Sequence, residues 1–111
     1  QKEAGEPLTI VGDGSQKRDF VHVEDVARAN YLASLMPLRK DGHDYTGEVF
    51  NVGSGKNCSI QEIADVISDN QVYISKRDGE METTLADISK IRSVLGWVPE
   101  IDVLEWVHGQ K

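Results

Sequence analysis

Two arginines occupy the ends of predicted strands, where a guanidinium could bind a phosphate. Arg18 lies between a glycine-rich turn and the apolar run that follows it, and Arg77 lies between another apolar run and Asp78. Binding residues concentrate at the ends of such elements. Two arginines from separate loops can hold a diphosphate, because each guanidinium donates two parallel hydrogen bonds. A solvated surface charge is the alternative for each arginine, and the local pattern by itself favours that alternative.

Several other motifs lack a residue that their chemistry requires. Residues 53–56 resemble the end of a phosphate-binding P-loop, but Phe50 and Asn57 stand where that loop needs glycine and Ser or Thr. Residues 13–24 carry acids at both ends like an EF-hand, yet the sixth position, which must be glycine, is Arg18. Neither G-x-S-x-G nor G-x-G-x-x-G occurs in the chain. The local motifs therefore name no enzyme.

The histidines and the cysteine predict neither a metal site nor a nucleophile. His22, His43 and His108 are far apart, and none has a second histidine or cysteine at ligand spacing. Cys58 is the only cysteine, so an internal disulfide is excluded and a small packing residue is the favoured interpretation. This cysteine usage is typical of a reducing compartment, and we expect a cytoplasmic location.

Length and charge bound the remaining possibilities. The chain has 111 residues and a formal net charge of −7, from 12 Lys and Arg against 19 Asp and Glu. That length allows one domain, and the acidic balance argues against nucleic-acid binding. No apolar run approaches the roughly 18–20 residues of a membrane helix, so we expect no membrane association. Because the chain starts at Gln1 in a polar stretch, we expect a piece of a longer protein.

Alternating periodicity predicts the elements that position these residues. Helices are predicted from Glu24 to Pro37, after a capping box at Ser59 and Glu62, after Asp87 as far as Gly96, and after Asp102. His22 is interpreted as a strand residue, Asp25 as a cap, and residues 38–47 as a loop. The predicted strands are 8–11, 19–23, 48–52 and 72–75. This alternation is typical of parallel α/β layers, so the fold class is α/β.

Five blocks of sequence resemble one known family in order and spacing. The chain is similar to the C-terminal half of the extended short-chain dehydrogenases/reductases, the NAD-dependent nucleotide-sugar epimerases and dehydratases. Within the family the blocks are most similar to UDP-sugar epimerases, and dTDP-sugar dehydratases share most of them. The blocks are residues 5–29, 49–55, 59–64, 77–80 and 86–99.

The resemblance implies roles for individual residues in binding a nucleoside-diphosphate sugar. It places Thr9 and Val11 on the strand that contacts the base, Arg18 and Arg77 on either side of the diphosphate, and Glu80 at the ribose. It also implies a Rossmann-type architecture, in which residues 1–111 form the substrate domain together with the last sheet strands of the cofactor domain.

The same resemblance shows which family motifs are missing here. The family's glycine-rich dinucleotide loop does not occur, and Tyr31, Tyr45 and Tyr73 are not followed four residues later by lysine. We therefore expect no catalytic residue in this chain, no cofactor for the chain alone, and NAD in the intact parent enzyme. Two hypotheses remain: the sugar-nucleotide-binding portion of an epimerase or dehydratase, or a free-standing, non-catalytic binding or interaction module. Exposed surfaces imply self-association or pairing with the missing N-terminal half.

Overall fold

Short strands and helices alternate along the chain in the computed structural model, which describes residues 1–110. The strands are β1 (Leu8–Val11), β2 (Lys17–Arg18), β3 (Arg39–Lys40), β4 (His43–Asp44), β5 (Cys58–Ser59) and β6 (Gln71–Ile74). The helices are α1 (Val23–Leu35), α2 (Ile60–Ile67), α3 (Ser89–Leu95) and α4 (Val103–Gly109). The α/β class is confirmed.

The longest strands, β1 and β6, form a parallel pair. Leu8 lies opposite Gln71 and Val11 lies opposite Ile74, so the two strands end at the same edge. Parallel strands need a long crossover, and here the crossover contains α1 and α2. Helix α2 packs against β1 and α4, which buries Ile10 and Ala64.

A second small layer lies around β2. On one edge β2 pairs antiparallel with β5. On its other edge residues 82–84 run parallel to it, with Lys17 N donating to Glu82 O at 2.8 Å and Thr84 N donating to Lys17 O at 3.0 Å. Arg18 is therefore held in the middle of three extended segments.

The main hydrophobic core lies between α1 and α3. It consists of the buried residues Ala29, Ile88, Ile91 and Trp97, and Trp97 is fully buried. Partly buried apolar side chains from residues 21, 50 and 52 pack against this cluster. The core is small for a chain of this length, because many large apolar side chains stay exposed.

Asp25 joins the core helix to the C-terminal segment, which corrects its prediction as a helix cap. His22, not a strand residue, is the N-cap of α1, and its Nδ1 accepts a hydrogen bond from Glu24 N at 3.1 Å. The buried Asp25 carboxylate accepts hydrogen bonds from the amides of Glu100 and Ile101. A single carboxylate thus satisfies donors about 75 positions away in sequence.

The predicted helices are confirmed, with one change in capping. The box of Ser59 and Glu62 caps α2, and Asp102 caps α4 by accepting from two amides of its first turn. Gly96 ends α3 in the left-handed region at φ 66°. Helix α3 begins one residue later than expected, with Ile88 as the N-cap residue, while Asp87 accepts hydrogen bonds from Ser89.

Two predicted strands are wrong, and one predicted loop contains paired residues. Neither 19–23 nor 48–52 forms a strand, because a strand requires a hydrogen-bonded neighbour and none of residues 1–110 supplies one. Both stretches still direct apolar side chains at the core. Residues 38–47 contain a short hairpin, β3 and β4, rather than only a loop. Among strands β1 to β6, the parallel pair is β1 with β6, and the other parallel contact is the bridge between Lys17 and Thr83.

Helix length also bears on membrane association. The longest described helix, α1, has 13 residues, and no helix within residues 1–110 is long and apolar enough to span a bilayer.

Candidate functional site

A cavity of about 740 Å³ opens at the edge where β1 and β6 both end. Its walls come from the loop after β1, from the start of the stretch after β6, and from the segment that runs along β2. In α/β structures, ligands commonly bind in the crevice at the carboxyl ends of parallel strands. The lining residues are Val11, Gly12, Asp13, Ser15, Gln16, Lys17, Asn57, Lys76, Glu80, Met81, Glu82 and Thr83.

Internal hydrogen bonds hold the loop after β1 in its shape. Asp13 Oδ1 accepts from the Ser15 hydroxyl at 2.6 Å and from the Ser15 amide at 2.9 Å, and these bonds lower the pKa of Asp13 below its usual range. Gln16 Nε2 donates to Val11 O at 2.9 Å. Because these polar groups are hydrogen-bonded within the loop itself, this wall of the cavity keeps its shape without a ligand.

Arg18 and Glu80 form an ion pair beside the cavity. Arg18 Nη2 lies 3.8 Å from Glu80 Oε1, and Arg18 Nη1 donates to Lys17 O at 2.8 Å. Glu80 lines the main cavity, whereas Arg18 lines a neighbouring one of about 180 Å³, and Asn57 lines both. Glu80 Oε2 is buried and has no hydrogen-bond partner among the described residues. An unpaired buried carboxylate oxygen can accept a hydrogen bond from a ligand hydroxyl.

Two predicted site residues, Thr9 and Arg77, do not line the cavity, although Arg77 O accepts a hydrogen bond from Glu80 N at 3.4 Å. Thr9 lies on β1 with an exposed side chain, which accepts from Gln1 Nε2 at 2.9 Å and does not line the cavity. Arg77 is exposed in the stretch after β6, and no ion pair within residues 1–110 involves it. The structure thus brings together Val11, Arg18 and Glu80, and leaves Thr9 and Arg77 outside the cavity lining.

Sequence reasoning missed the two lysines and the acid that flank the cavity. Lys17 and Lys76 both line it, and Lys76 Nζ lies 3.5 Å from Glu82 Oε1. The position of Lys76, two residues after β6, could have indicated a binding residue, since ligands bind near the carboxyl ends of parallel strands. It required knowing that β1 pairs with β6, which local periodicity does not reveal.

Asp19 connects three segments behind the cavity. Its Oδ1 accepts from the Ser54 amide and hydroxyl, both at 2.7 Å, and its Oδ2 accepts from Gly55 N at 3.0 Å and Ala86 N at 3.1 Å. Its own amide donates to Thr84 Oγ1 at 3.1 Å. Burial raises the pKa of Asp19, but these hydrogen bonds outweigh burial, so its pKa lies below the usual range.

The surroundings of Cys58 are those of a packing residue. Cys58 is buried in β5, and burial raises the pKa of its thiol, which disfavours the thiolate that a nucleophile requires. No group of three or more metal-ligating side chains occurs within residues 1–110.

Comparison with known proteins identifies one family over almost the whole chain. Residues 1–109 match the family model described as GDP-mannose 4,6 dehydratase. The UDP-glucuronate 4-epimerase of Thermodesulfobacterium geofontis is 38% identical over 106 residues, which cover 89% of this chain and 30% of that protein.

Solved structures of the same family have the same fold. The UDP-glucose 4-epimerase of Thermotoga maritima, solved with UDP-glucose, superposes with a TM-score of 0.77 at 32% identity, covering 95% of this chain and 33% of that one. The UDP-glucuronic acid 4-epimerase of Bacillus cereus, solved with UDP-glucuronic acid and NAD, gives a TM-score of 0.79 at 31% identity and covers 96% of this chain and 34% of that one.

The chain spans about a third of the length of these relatives. Family model, sequence identity and fold agree over nearly all of the described residues. The Rossmann-type class and the resemblance predicted from five sequence blocks are thereby confirmed. The chain belongs to the GDP-mannose 4,6-dehydratase family of extended short-chain dehydrogenases/reductases, which contains the NAD-dependent nucleotide-sugar epimerases and dehydratases.

Proposed function

We propose that residues 1–111 are the C-terminal, nucleotide-sugar-binding portion of an NAD-dependent epimerase or dehydratase. The observation that carries this proposal is the cavity at the carboxyl ends of β1 and β6, with the Arg18–Glu80 pair beside it. Relatives of about three times this length act on UDP-sugars, as their names state. The substrate class is therefore a nucleoside-diphosphate sugar, with a UDP-sugar as the first choice.

Each proposed contact uses a different chemical property of the cavity. The β1 backbone at Thr9 and Val11 contacts the base. The guanidinium groups of Arg18 and Arg77 bind the diphosphate by charge-assisted hydrogen bonds. Glu80 accepts from a ribose hydroxyl through its unpaired oxygen. These contacts hold the sugar at a fixed position, which is how binding energy remote from the reacting atoms contributes to catalysis.

The residues of this chain do not themselves fit NAD. Dinucleotide binding needs a glycine-rich turn whose amides are free to approach a pyrophosphate. The glycine-rich turn at residues 53–55 leads towards α2, but the amides of Ser54 and Gly55 already donate to Asp19. In this proposal, NAD binding and the proton-transfer residues are assigned to the rest of the longer protein.

The first test measures turnover and binding with two proteins, the isolated chain and the full-length parent. We expect the isolated chain to convert no UDP-sugar in the presence of NAD, because it has no Tyr-x-x-x-Lys motif and no dinucleotide loop. We expect the full-length protein to bind UDP and to convert a UDP-sugar. Coupled assays with a panel of UDP- and dTDP-sugars, together with UDP titration calorimetry, give both answers.

The outcomes separate the two hypotheses about function. Product formed by the isolated chain above a buffer control would contradict the non-catalytic assignment. Failure of the full-length protein to bind any nucleotide sugar would contradict the proposed function. If the reading frame upstream of Gln1 encodes no dinucleotide loop, the free-standing binding module would be favoured.

A further inference from the structure

Asp19 follows Arg18 directly and binds the backbone at the far end of the cavity wall. Residues 80–83 form one wall of the cavity, and residues 82–84 are paired to Lys17. Beyond Thr84, that wall is held by Ala86 N, which donates to Asp19 Oδ2 at 3.1 Å. Both Arg18 and the wall that carries Glu80 are therefore anchored by the same residue.

The four hydrogen bonds to Asp19 come from segments that no regular sheet connects. Three of the donors belong to the turn at residues 54–55, namely the amide and hydroxyl of Ser54 and the amide of Gly55. The fourth, Ala86 N, belongs to the stretch before α3. Close packing leaves little freedom, because a Cβ built on Gly53 would lie 2.5 Å from Ala86 Cβ and 3.0 Å from Asp19 Oδ2. No strand pairing joins the turn at residues 54–55 to the stretch before α3. The Asp19 carboxylate holds these two segments together instead.

We propose that Asp19 is a positioning residue for the nucleotide-sugar cavity, whose carboxylate fixes the wall of residues 80–86 relative to Arg18. This inference rests on the proposed function of the cavity. Asp19 touches no ligand in this scheme. It acts through Arg18 and Glu80 by maintaining the distance of 3.8 Å between Arg18 Nη2 and Glu80 Oε1.

An Asp19→Asn substitution tests this role because it preserves size and removes only part of the network. The amide oxygen still accepts from Ser54, but the new NH₂ group faces the N–H groups of Gly55 and Ala86. The wall segment loses its anchor while the turn stays bonded. In the full-length protein we expect the affinity for UDP and the KM for the UDP-sugar to worsen by about tenfold, with kcat and NAD affinity changed less than twofold.

A double-mutant cycle with Arg18→Ala distinguishes positioning from a general loss of stability. If Asp19 acts through Arg18, adding Asp19→Asn to Arg18→Ala weakens UDP binding little further. Asp25→Asn is the control, because the buried Asp25 carboxylate likewise accepts backbone amides, but these belong to residues 100 and 101 rather than to the cavity wall. We expect Asp25→Asn to lower thermal stability without changing the affinity for UDP.

Ser54→Ala decides the question if Asp19→Asn does not fold. It removes the hydroxyl that donates to Asp19 and that is also hydrogen-bonded to the Lys56 backbone, while the amides of Ser54, Gly55 and Ala86 still donate to Asp19. We therefore expect UDP affinity to fall about threefold, against no change for Ser59→Ala in the α2 cap. Equal losses of UDP and NAD affinity, additivity with Arg18→Ala, or an unchanged UDP affinity in Ser54→Ala would overturn the role of Asp19. No UDP binding by the unmodified protein would instead overturn the proposed function.

Discussion

Arg18 forms an ion pair with Glu80 in the absence of ligand, so substituting Arg18 also affects Glu80. At 3.8 Å from Glu80, with both side chains partly exposed, the pair is a weak one. A diphosphate offers the guanidinium two bonds to a fully charged group, so exchange of partners favours the ligand. Removing Arg18 therefore removes a ligand contact and leaves Glu80 with a second unpaired oxygen.

We predict that Arg18→Ala and Arg77→Ala each weaken UDP-sugar binding by about ten- to a hundredfold, since a charge-assisted bond contributes roughly 1.5–3 kcal/mol. Arg→Lys at either position should recover part of the loss, because an ammonium keeps the charge without the bidentate geometry. Calorimetry with UDP and with NAD on the full-length protein measures both ligands. Arg39→Ala, in the exposed hairpin, is the control that should leave both affinities unchanged. Unchanged UDP affinity in both Arg18→Ala and Arg77→Ala would remove the diphosphate assignment.

The carboxylate of Asp25 makes stability depend on pH. Burial raises the pKa of Asp25, but the amide of Ile101 and the side chain of Arg28 outweigh burial, so its pKa lies below the usual range. A carboxyl with a lowered pKa in the folded state stabilises the fold above its unfolded pKa of about 3.9, and that contribution is lost as the pH falls through the folded pKa.

We predict that Asp25→Asn costs roughly 2–4 kcal/mol at pH 7, because it removes the negative charge beside Arg28 and replaces one of the two accepting oxygens with an NH₂ group. The cost should shrink as the pH falls below about 4, because the Asp25 carboxyl of the unfolded wild-type chain then binds a proton before the folded one does. Urea unfolding of both proteins between pH 3 and pH 7 measures the difference. A cost that is constant over that range would contradict the proposed charge dependence.

At the scale of elements, the turn at residues 53–55 is packed without room for one more methyl group. A Cβ on Gly53 would approach Ala86 Cβ to 2.5 Å. We predict that Gly53→Ala destabilises the protein by about 1–3 kcal/mol, the usual cost of overpacking. Ala86→Gly should restore most of the loss in the double variant, since it removes the clashing atom.

Denaturant unfolding of the full-length protein measures this effect. Gly109→Ala is the matched control, because nothing lies within 4 Å of the added atom and its φ is not positive. A Gly53→Ala protein as stable as wild type would show that the turn and the stretch before α3 separate easily.

Elements that depend on neighbouring residues were predictable from the sequence, and elements that depend on distant partners were not. The caps of α2 and α4, the glycine end of α3 and strand β1 all follow from local chemistry. The stretches 19–23 and 48–52 have strand-like composition but no hydrogen-bonded strand partner among residues 1–110. Likewise the resemblance supplied Arg18 and Glu80, whereas the roles of Lys76 and Asp19 depend on contacts between segments far apart in sequence.

At the scale of the molecule, the chain is extended and exposes many large apolar side chains. The radius of gyration is 17.7 Å, against about 13 Å for a compact chain of this length. Large apolar side chains are exposed on α1 and β6, among them Tyr31, Leu35 and Tyr73. Such surfaces and the open edges of short sheets promote association.

We predict that the isolated chain associates with itself and that co-expression with the N-terminal portion of its parent suppresses this association. Light scattering over a hundredfold range of concentration should show a mass above that of a monomer. Tyr31→Glu and Leu35→Glu together should reduce the mass, while Glu24→Lys on the polar side of α1 should not. A monomer at every concentration would contradict the prediction.

The pairing of β1 with β6 also determines when the cavity can exist during synthesis. Its two strands are separated by about 60 residues, and the second wall is made still later, at residues 80–83. A ribosome adds roughly 5–20 residues per second, so α1 can form seconds before β1 has a partner. Closing so long a loop is slow compared with helix formation. The cavity therefore cannot form on the nascent chain until residues 80–83 have been made, and β1 stays open to wrong partners until β6 is available.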